Sequence, residues 1–153
     1  MIFISKWIII SLFYVRKRFH YHSYTEEVLC MPTILIVEDN ALTQRVLQMT
    51  LQNQGYQIIV AANGLEAIEK LEHVHVDLAV VDVLMPVMDG LSLLRHLRAD
   101  NRYEALPVII LTANSQDSIR SQALAIGADG FLTKPTSSRE LVDTVRRFVY
   151  AQT

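Results

Sequence analysis

Five short apolar runs, interleaved with stretches of helical period, constrain this chain more than any other feature. They are TILIV (33–37), QIIVA (57–61), LAVV (78–81), VIIL (108–111) and GFLT (130–133). Runs of four or five largely apolar residues, rich in β-branched side chains, suit strands covered on both faces. A strand with one wet face would alternate apolar and polar instead. Between the runs, apolar residues recur at three and four, which predicts helices over 41–54, 63–71, 91–97, 115–126 and from 137 through 148. In the first helix the repeat is Leu42, Val46 and Met49, with Leu47 and Leu51 one step around. Gly55 and Gly127 stand where helices need a left-handed terminating residue. Asn63 with Glu66, and Ser137 with Glu140, have the spacing of capping boxes, and Asp89-Gly90 suits the cap of the third helix. Five strand–helix units with short connections predict an α/β fold with a parallel sheet and helices on both faces.

Residues 1–30 read differently. They are apolar up to Val15 and then basic at Arg16-Lys17-Arg18, with four basic and two acidic residues in all. The stretch from Trp7 to Val15, apolar but for Ser11, is far short of the ~20 residues that span a bilayer. A secretory signal would place its basic residues before the apolar run, not after it. We therefore expect 1–30 to be a leader outside the native fold, with Met31 as the natural start and 31–153 as the domain. Contact with a membrane surface is expected only if that leader belongs to the working protein. From Met31 on, ten basic face fourteen acidic residues, which argues against nucleic acid as the partner. The single cysteine, Cys30, excludes an internal disulfide framework and points to a reducing, cytoplasmic setting.

The chemistry gathers at strand ends. The first strand runs into Glu38-Asp39, the third into Asp82, the fourth into Thr112 and the fifth into Lys134. Doubly wound sheets bind ligands outside the carboxyl ends of their strands, where the winding reverses. In a (βα)5 three-layer sandwich of order 2-1-3-4-5, that point lies between strands one and three, which deliver the three carboxylates. Converging carboxylates repel one another, so a site that keeps them ionised needs a cation. All-oxygen ligation suits a hard ion, with Mg²⁺ the leading choice. A lysine and a threonine opposite can hold phosphoryl oxygens, and a carboxylate can itself be the nucleophile that forms an acyl phosphate. Metal, nucleophile, cation and hydroxyl together describe phosphoryl transfer.

The segments LIVEDN (35–40), VVDVLMPVMDG (80–90), ILTA (110–113) and FLTKP (131–135) resemble those of response-regulator receiver domains, and the resemblance runs from Thr33 to about Tyr150. It implies the flavodoxin-like version of the fold. Glu38, Asp39, Asp82 and the Leu84 backbone carbonyl would then ligate Mg²⁺, with Asp82 as phosphoacceptor. Lys134 would pair with the phosphoryl group, Thr112 would move to hydrogen-bond it, and Phe131 would turn inward as an aromatic switch. The Lys134–Pro135 bond is expected to be cis. The implied donor is a histidine kinase or histidine phosphotransfer protein. The target would dock at the face made by the fourth helix, fifth strand and fifth helix, as in single-domain regulators of chemotaxis, phosphorelay or twitching motility. No output domain is expected, and no turnover reaction beyond the domain's own phosphorylation and slow dephosphorylation.

Position 84 carries leucine where receivers often have a polar group. A leucine offers no hydrogen bond to an attacking water, so slow loss of phosphate is expected. A dehalogenase-type phosphatase would need a carboxylate at position 84, and a flavin site would need a phosphate-cradling loop where EDNALT stands. A pseudo-receiver that binds partners without phosphorylation remains the alternative, against the complete set of acids, threonine and lysine. The histidines show no ligand pattern, and His73 and His75 are expected to be solvated.

Overall fold

The computed structural model describes residues 31–113 and 117–150. Five strands, β1 (Thr33–Val37), β2 (Gln57–Ala61), β3 (Leu78–Asp82), β4 (Val108–Thr112) and β5 (Gly130–Thr133), form one sheet in the order β2-β1-β3-β4-β5. Every neighbouring pair is parallel. Helices α1 (Ala41–Gln52), α2 (Gly64–Leu71), α3 (Gly90–Ala99), α4 (Asp117–Ile126) and α5 (Ser138–Val149) connect and follow the strands. The doubly wound α/β prediction and its strand order are both met.

Alternation along each strand divides the core into two layers. Leu35, Val37, Ala79, Val81, Val108 and Ile110 face one side, where Ala67 and Leu71 of α2, Leu93, Leu94 and Leu97 of α3, and Ala123 of α4 cover them. Ile34, Ile36, Leu78, Val80, Ile109 and Leu111 face the other, under Leu47 and Leu51 of α1 and Leu141, Val142 and Val145 of α5. All ten residues of β3 and β4 are buried, as runs covered on both faces must be.

The bounds of β3, β4, α1 and α3 differ from the sequence reading, and packing settles which face of α1 is buried. β3 and β4 run one residue further than the apolar runs, taking in Asp82 and Thr112, because backbone pairing (Asp82 opposite Leu111, Thr112 opposite Thr133) continues whatever the side chain. α1 stops at Gln52, with Gly55 at φ 90° closing the turn behind it. α3 extends over Gly90–Ala99 beyond the expected 91–97. On α1, Leu47 and Leu51 are buried, whereas Leu42, Val46 and Met49 are 76, 53 and 50% exposed. The helix has two apolar stripes and one sheet face to sit on, so the repeat that heads the sequence pattern is the outer one.

The predicted caps form as expected. Asn63 accepts from the Glu66 N–H at 2.9 Å, Asp89 from the Ser92 N–H at 2.8 Å, and Ser137 from the Glu140 N–H at 3.1 Å. Glu66 in turn accepts from the Ala62 N–H at 2.8 Å, one residue ahead of the Asn63 N–H that a capping box would use. The expected start of the fourth helix at Ser115, the reading of 1–30 as a leader, and His20 and His22 lie outside the described residues. Among the described residues no helix is long and apolar enough to cross a membrane.

Candidate functional site

The carboxyl ends of β1, β3 and β5 bring together Glu38, Asp39, Asp82 and Lys134. β1 delivers Glu38 into an almost closed position, 1% exposed. Its N–H donates to the Ala61 carbonyl at 3.0 Å, which continues the β1–β2 pairing past the strand. The Asn40 N–H donates to its Oε1 at 3.1 Å. From α1, the Gln44 amide donates to the Glu38 carbonyl at 2.9 Å and to the Ala61 carbonyl at 3.3 Å. Gln44 was not singled out by the sequence reading. Its only signal is a polar residue one turn before Leu47 on the inner stripe of α1.

Asp82 ends β3 with its side chain buried. The loop after it folds back tightly: the Gly90 N–H donates to the Val83 carbonyl at 3.0 Å, and a Cβ at position 90 would stand 2.1 Å from the Asp82 carbonyl oxygen. Glycine is required there for close backbone approach, not only for the turn. Within the loop, Val87 has φ 69°, a left-handed conformation that costs a β-branched residue strain, and the Met88 N–H closes the turn on Pro86 at 2.8 Å. Leu84 and Val87 point outward, 68 and 79% exposed.

Lys134 reaches across from β5. Its Nζ lies 2.6 Å from Glu38 Oε2 and 3.0 Å from Asp82 Oδ2. Its backbone N–H donates to Thr112 at 2.8 Å, and the peptide to Pro135 is cis, as expected. Burial works against the ammonium charge, but hydrogen bonds and charge from Glu38 and Asp82 outweigh it, leaving the Lys134 pKa above its ordinary value. Glu38, Asp39 and Asp82 each offer an oxygen within 4.8 Å of the others, the only such group of potential metal ligands among the described residues. Three carboxylates face one ammonium, so the site has negative charge to spare. An all-oxygen set with excess charge fits a hard divalent cation.

Thr112, 8% exposed, ends β4 beside this cluster in register with Thr133. Phe131 is half-buried on the α2–α3–α4 side of the sheet. The Arg120 guanidinium of α4 lies over its ring, 5.1 Å from the centroid, a contact not anticipated from sequence. His75 is largely exposed, 3.3 Å from Asp77.

A parallel five-stranded sheet with an acidic cluster and a lysine at its switch point defines the class of CheY-like signalling receivers. The sequence matches the family described as "Response regulator receiver domain" over residues 34–146. The probable transcriptional regulator ycf29 of Porphyra purpurea is 33% identical over 117 residues, covering 76% of this chain and 56% of that protein. The chemotaxis response regulator CheY4 of Vibrio cholerae superposes with a TM-score of 0.73 at 32% identity, covering 77% of this chain and 98% of that one. The receiver domain of sensor histidine kinase PA1611 from Pseudomonas aeruginosa, solved with a magnesium ion coordinated in its active-site cleft, gives a TM-score of 0.73 at 34% identity, covering 78 and 98%. This chain belongs to the response-regulator receiver domains of two-component systems. Such domains are signalling modules rather than turnover enzymes, and they interact with histidine kinases or phosphotransfer proteins. The chain spans about half the length of the first curated relatives it matches, 56% and 54%.

Proposed function

We propose that Asp82 accepts a phosphoryl group from a phosphohistidine of a kinase or phosphotransfer protein, and that the phosphorylated domain signals by docking to another protein. The observation that carries this reading is the Lys134 ammonium shared between Glu38 at 2.6 Å and Asp82 at 3.0 Å, with a third carboxylate, Asp39, in the same cluster. A carboxylate oxygen of Asp82 attacks phosphorus, the P–N bond to the donor imidazole breaks, and an acyl phosphate forms on Asp82 while the imidazole leaves. Glu38, Asp39, Asp82 and the Leu84 carbonyl are the residues to hold Mg²⁺, which when bound neutralises charge on the phosphoryl oxygens. Lys134 stays paired with Asp82 and offers its charge to the incoming phosphoryl group. Thr112 supplies a hydroxyl to the same group, and Phe131 responds to its movement. Targets bind at the α4–β5–α5 face, where Phe131 is half-buried and Leu124 is 55% exposed.

We place the protein in the cytoplasm, with neither nucleic acid nor, leader aside, membrane as a partner. Residues 1–30 remain in this reading a leader preceding a natural start at Met31, which N-terminal mapping of the native protein would check. The test of the central chemistry is intact mass after incubation with Mg²⁺ and acetyl phosphate. One hydroxylamine-labile phosphoryl group on the parent, absent from Asp82→Ala, is the expected result. Equal modification of both proteins would overturn the assignment. An unmodified parent that also fails with phosphorylated donor proteins would favour the phosphorylation-independent interaction module.

A further inference from the structure

Three arginines stack on aromatic rings among the described residues. Two of them, Arg102 on Tyr103 and Arg147 on Phe148, join neighbours in sequence. Arg120 on Phe131 alone joins two elements, α4 and β5. Phe131 carries no hydroxyl, so the ring can be held only by packing and by its π-face. Its inner part packs against the buried cluster beneath α4, and the Arg120 guanidinium sits over it at 5.1 Å. Arg120 itself is exposed, and among the described residues its guanidinium has no ion pair or side-chain hydrogen bond, so this contact does not close the core.

We propose that Arg120 is a positioning residue for the Phe131 ring, holding it against α4 in the unphosphorylated protein so that a phosphoryl group on Asp82 must displace it. The inference rests on the receiver reading given above and deepens it. A cation over an aromatic face is attracted by the ring quadrupole, and at an exposed site the attraction favours the stacked arrangement by about two- to fivefold. Any ring movement that accompanies phosphorylation forfeits this contact. Because coupling between two sites is reciprocal, the stack weakens binding of an acyl-phosphate mimic by the same factor. Arg120 thereby sets how strongly the resting state is favoured without touching the acidic site.

The test places 4-fluorophenylalanine at position 131 of the full chain and records ¹⁹F NMR for the parent, Arg120→Gln and Arg120→Lys. Without any phosphoryl mimic, Arg120→Gln is expected to shift the resonance, with Arg120→Lys lying between it and the parent, because an ammonium keeps part of the attraction. Superimposable spectra would overturn the positioning role, and this arm does not depend on phosphorylation. Titration with beryllofluoride and Mg²⁺ then reads the coupling. Arg120→Gln should half-saturate at about two- to fivefold lower concentration. The difference should vanish when both proteins also carry Phe131→Leu. An equal shift in the Phe131→Leu background would overturn the coupling, since Arg120 would then be acting on the site's field and not on the ring. Failure of beryllofluoride to bind the parent would count against the receiver chemistry itself, and would remove the switching half of the proposal with it.

Discussion

Two ion clusters sit at opposite ends of the same sheet, and they are built on different charge balances. At the amino ends of β4 and β5, Arg98 faces one carboxylate, Asp129, at 2.8 Å, and donates as well to the carbonyls of Gly127, Leu106 and Tyr103 at 2.9, 3.0 and 3.3 Å. Asp129 also accepts from the Val108 N–H at 2.8 Å. Charge there is matched one to one, and the guanidinium, carried on α3, ties the α3–β4 and α4–β5 connections together. At the carboxyl ends, Lys134 pairs with Glu38 and Asp82 in a cluster that holds a third carboxylate, Asp39, and Glu38 is nearly inaccessible to water. A cluster whose charges cancel holds structure; one left with excess charge is poised to take up something positive. The nearby strain at Val87 belongs to the second end, where stability is given up to shape a reactive loop.

The largest expected effect comes from breaking the balanced cluster. Arg98→Ala strips several acceptors of their donor at once and should lower unfolding stability by about 2–4 kcal/mol, while the protein that remains folded still takes a phosphoryl group. Denaturant unfolding with acetyl phosphate labelling alongside measures both. A loss of labelling as large as the loss of stability would erase the distinction between the two ends.

Relieving the unbalanced cluster should act in the other direction. Asp82→Asn removes one of three mutually repelling charges, so stability without Mg²⁺ should rise, by about 1 kcal/mol, and the further gain on adding Mg²⁺ should shrink. A fall in metal-free stability would mean that the Lys134 pair outweighs the repulsion. A smaller, kinetic effect is expected at Leu84, whose exposed side chain gives an attacking water nothing to bond to. Leu84→Asn should speed phosphate loss by about two- to tenfold, the worth of one ordinary hydrogen bond. Equal rates would sink the idea.

The smallest effect is a control at an exposed pair belonging to neither cluster. Hydrogen bonds from the Arg102 side chain and backbone hold the Asp100 carboxyl down to about 2, below its ordinary 3.8. A depressed carboxylate stabilises the fold above its unfolded pKa, and that contribution is lost as pH falls through the folded one. The stability difference between parent and Asp100→Asn should therefore be slight above about pH 4 and fade toward pH 2. A difference that grows on acidification would contradict the sign.

What could be read from sequence, and what could not, follows the range of the interaction. The acids, Thr112 and Lys134 were legible because strand order carries each strand-end residue to one edge of the sheet, with no need to know any side-chain contact. Asp89 as a cap was legible because capping is local. Which stripe of α1 faces the sheet was not legible, because Leu42–Val46–Met49 and Leu47–Leu51 are both apolar at helical spacing, and only packing on the sheet chooses between them. Gln44, Arg98 and Arg120 were invisible for a related reason. Each is a polar helical residue whose partners lie in another element, and nothing local distinguishes such a residue from a solvated one.

The most direct measurement of the central claim is to locate the modification itself. Protein phosphorylated by a phosphohistidine donor would be reduced with borohydride, which converts an aspartyl phosphate to homoserine, and then mapped by peptide mass spectrometry. The account predicts a single converted residue, at position 82. Conversion at Glu38 or Asp39, or at none of the three after full mass uptake, would contradict it.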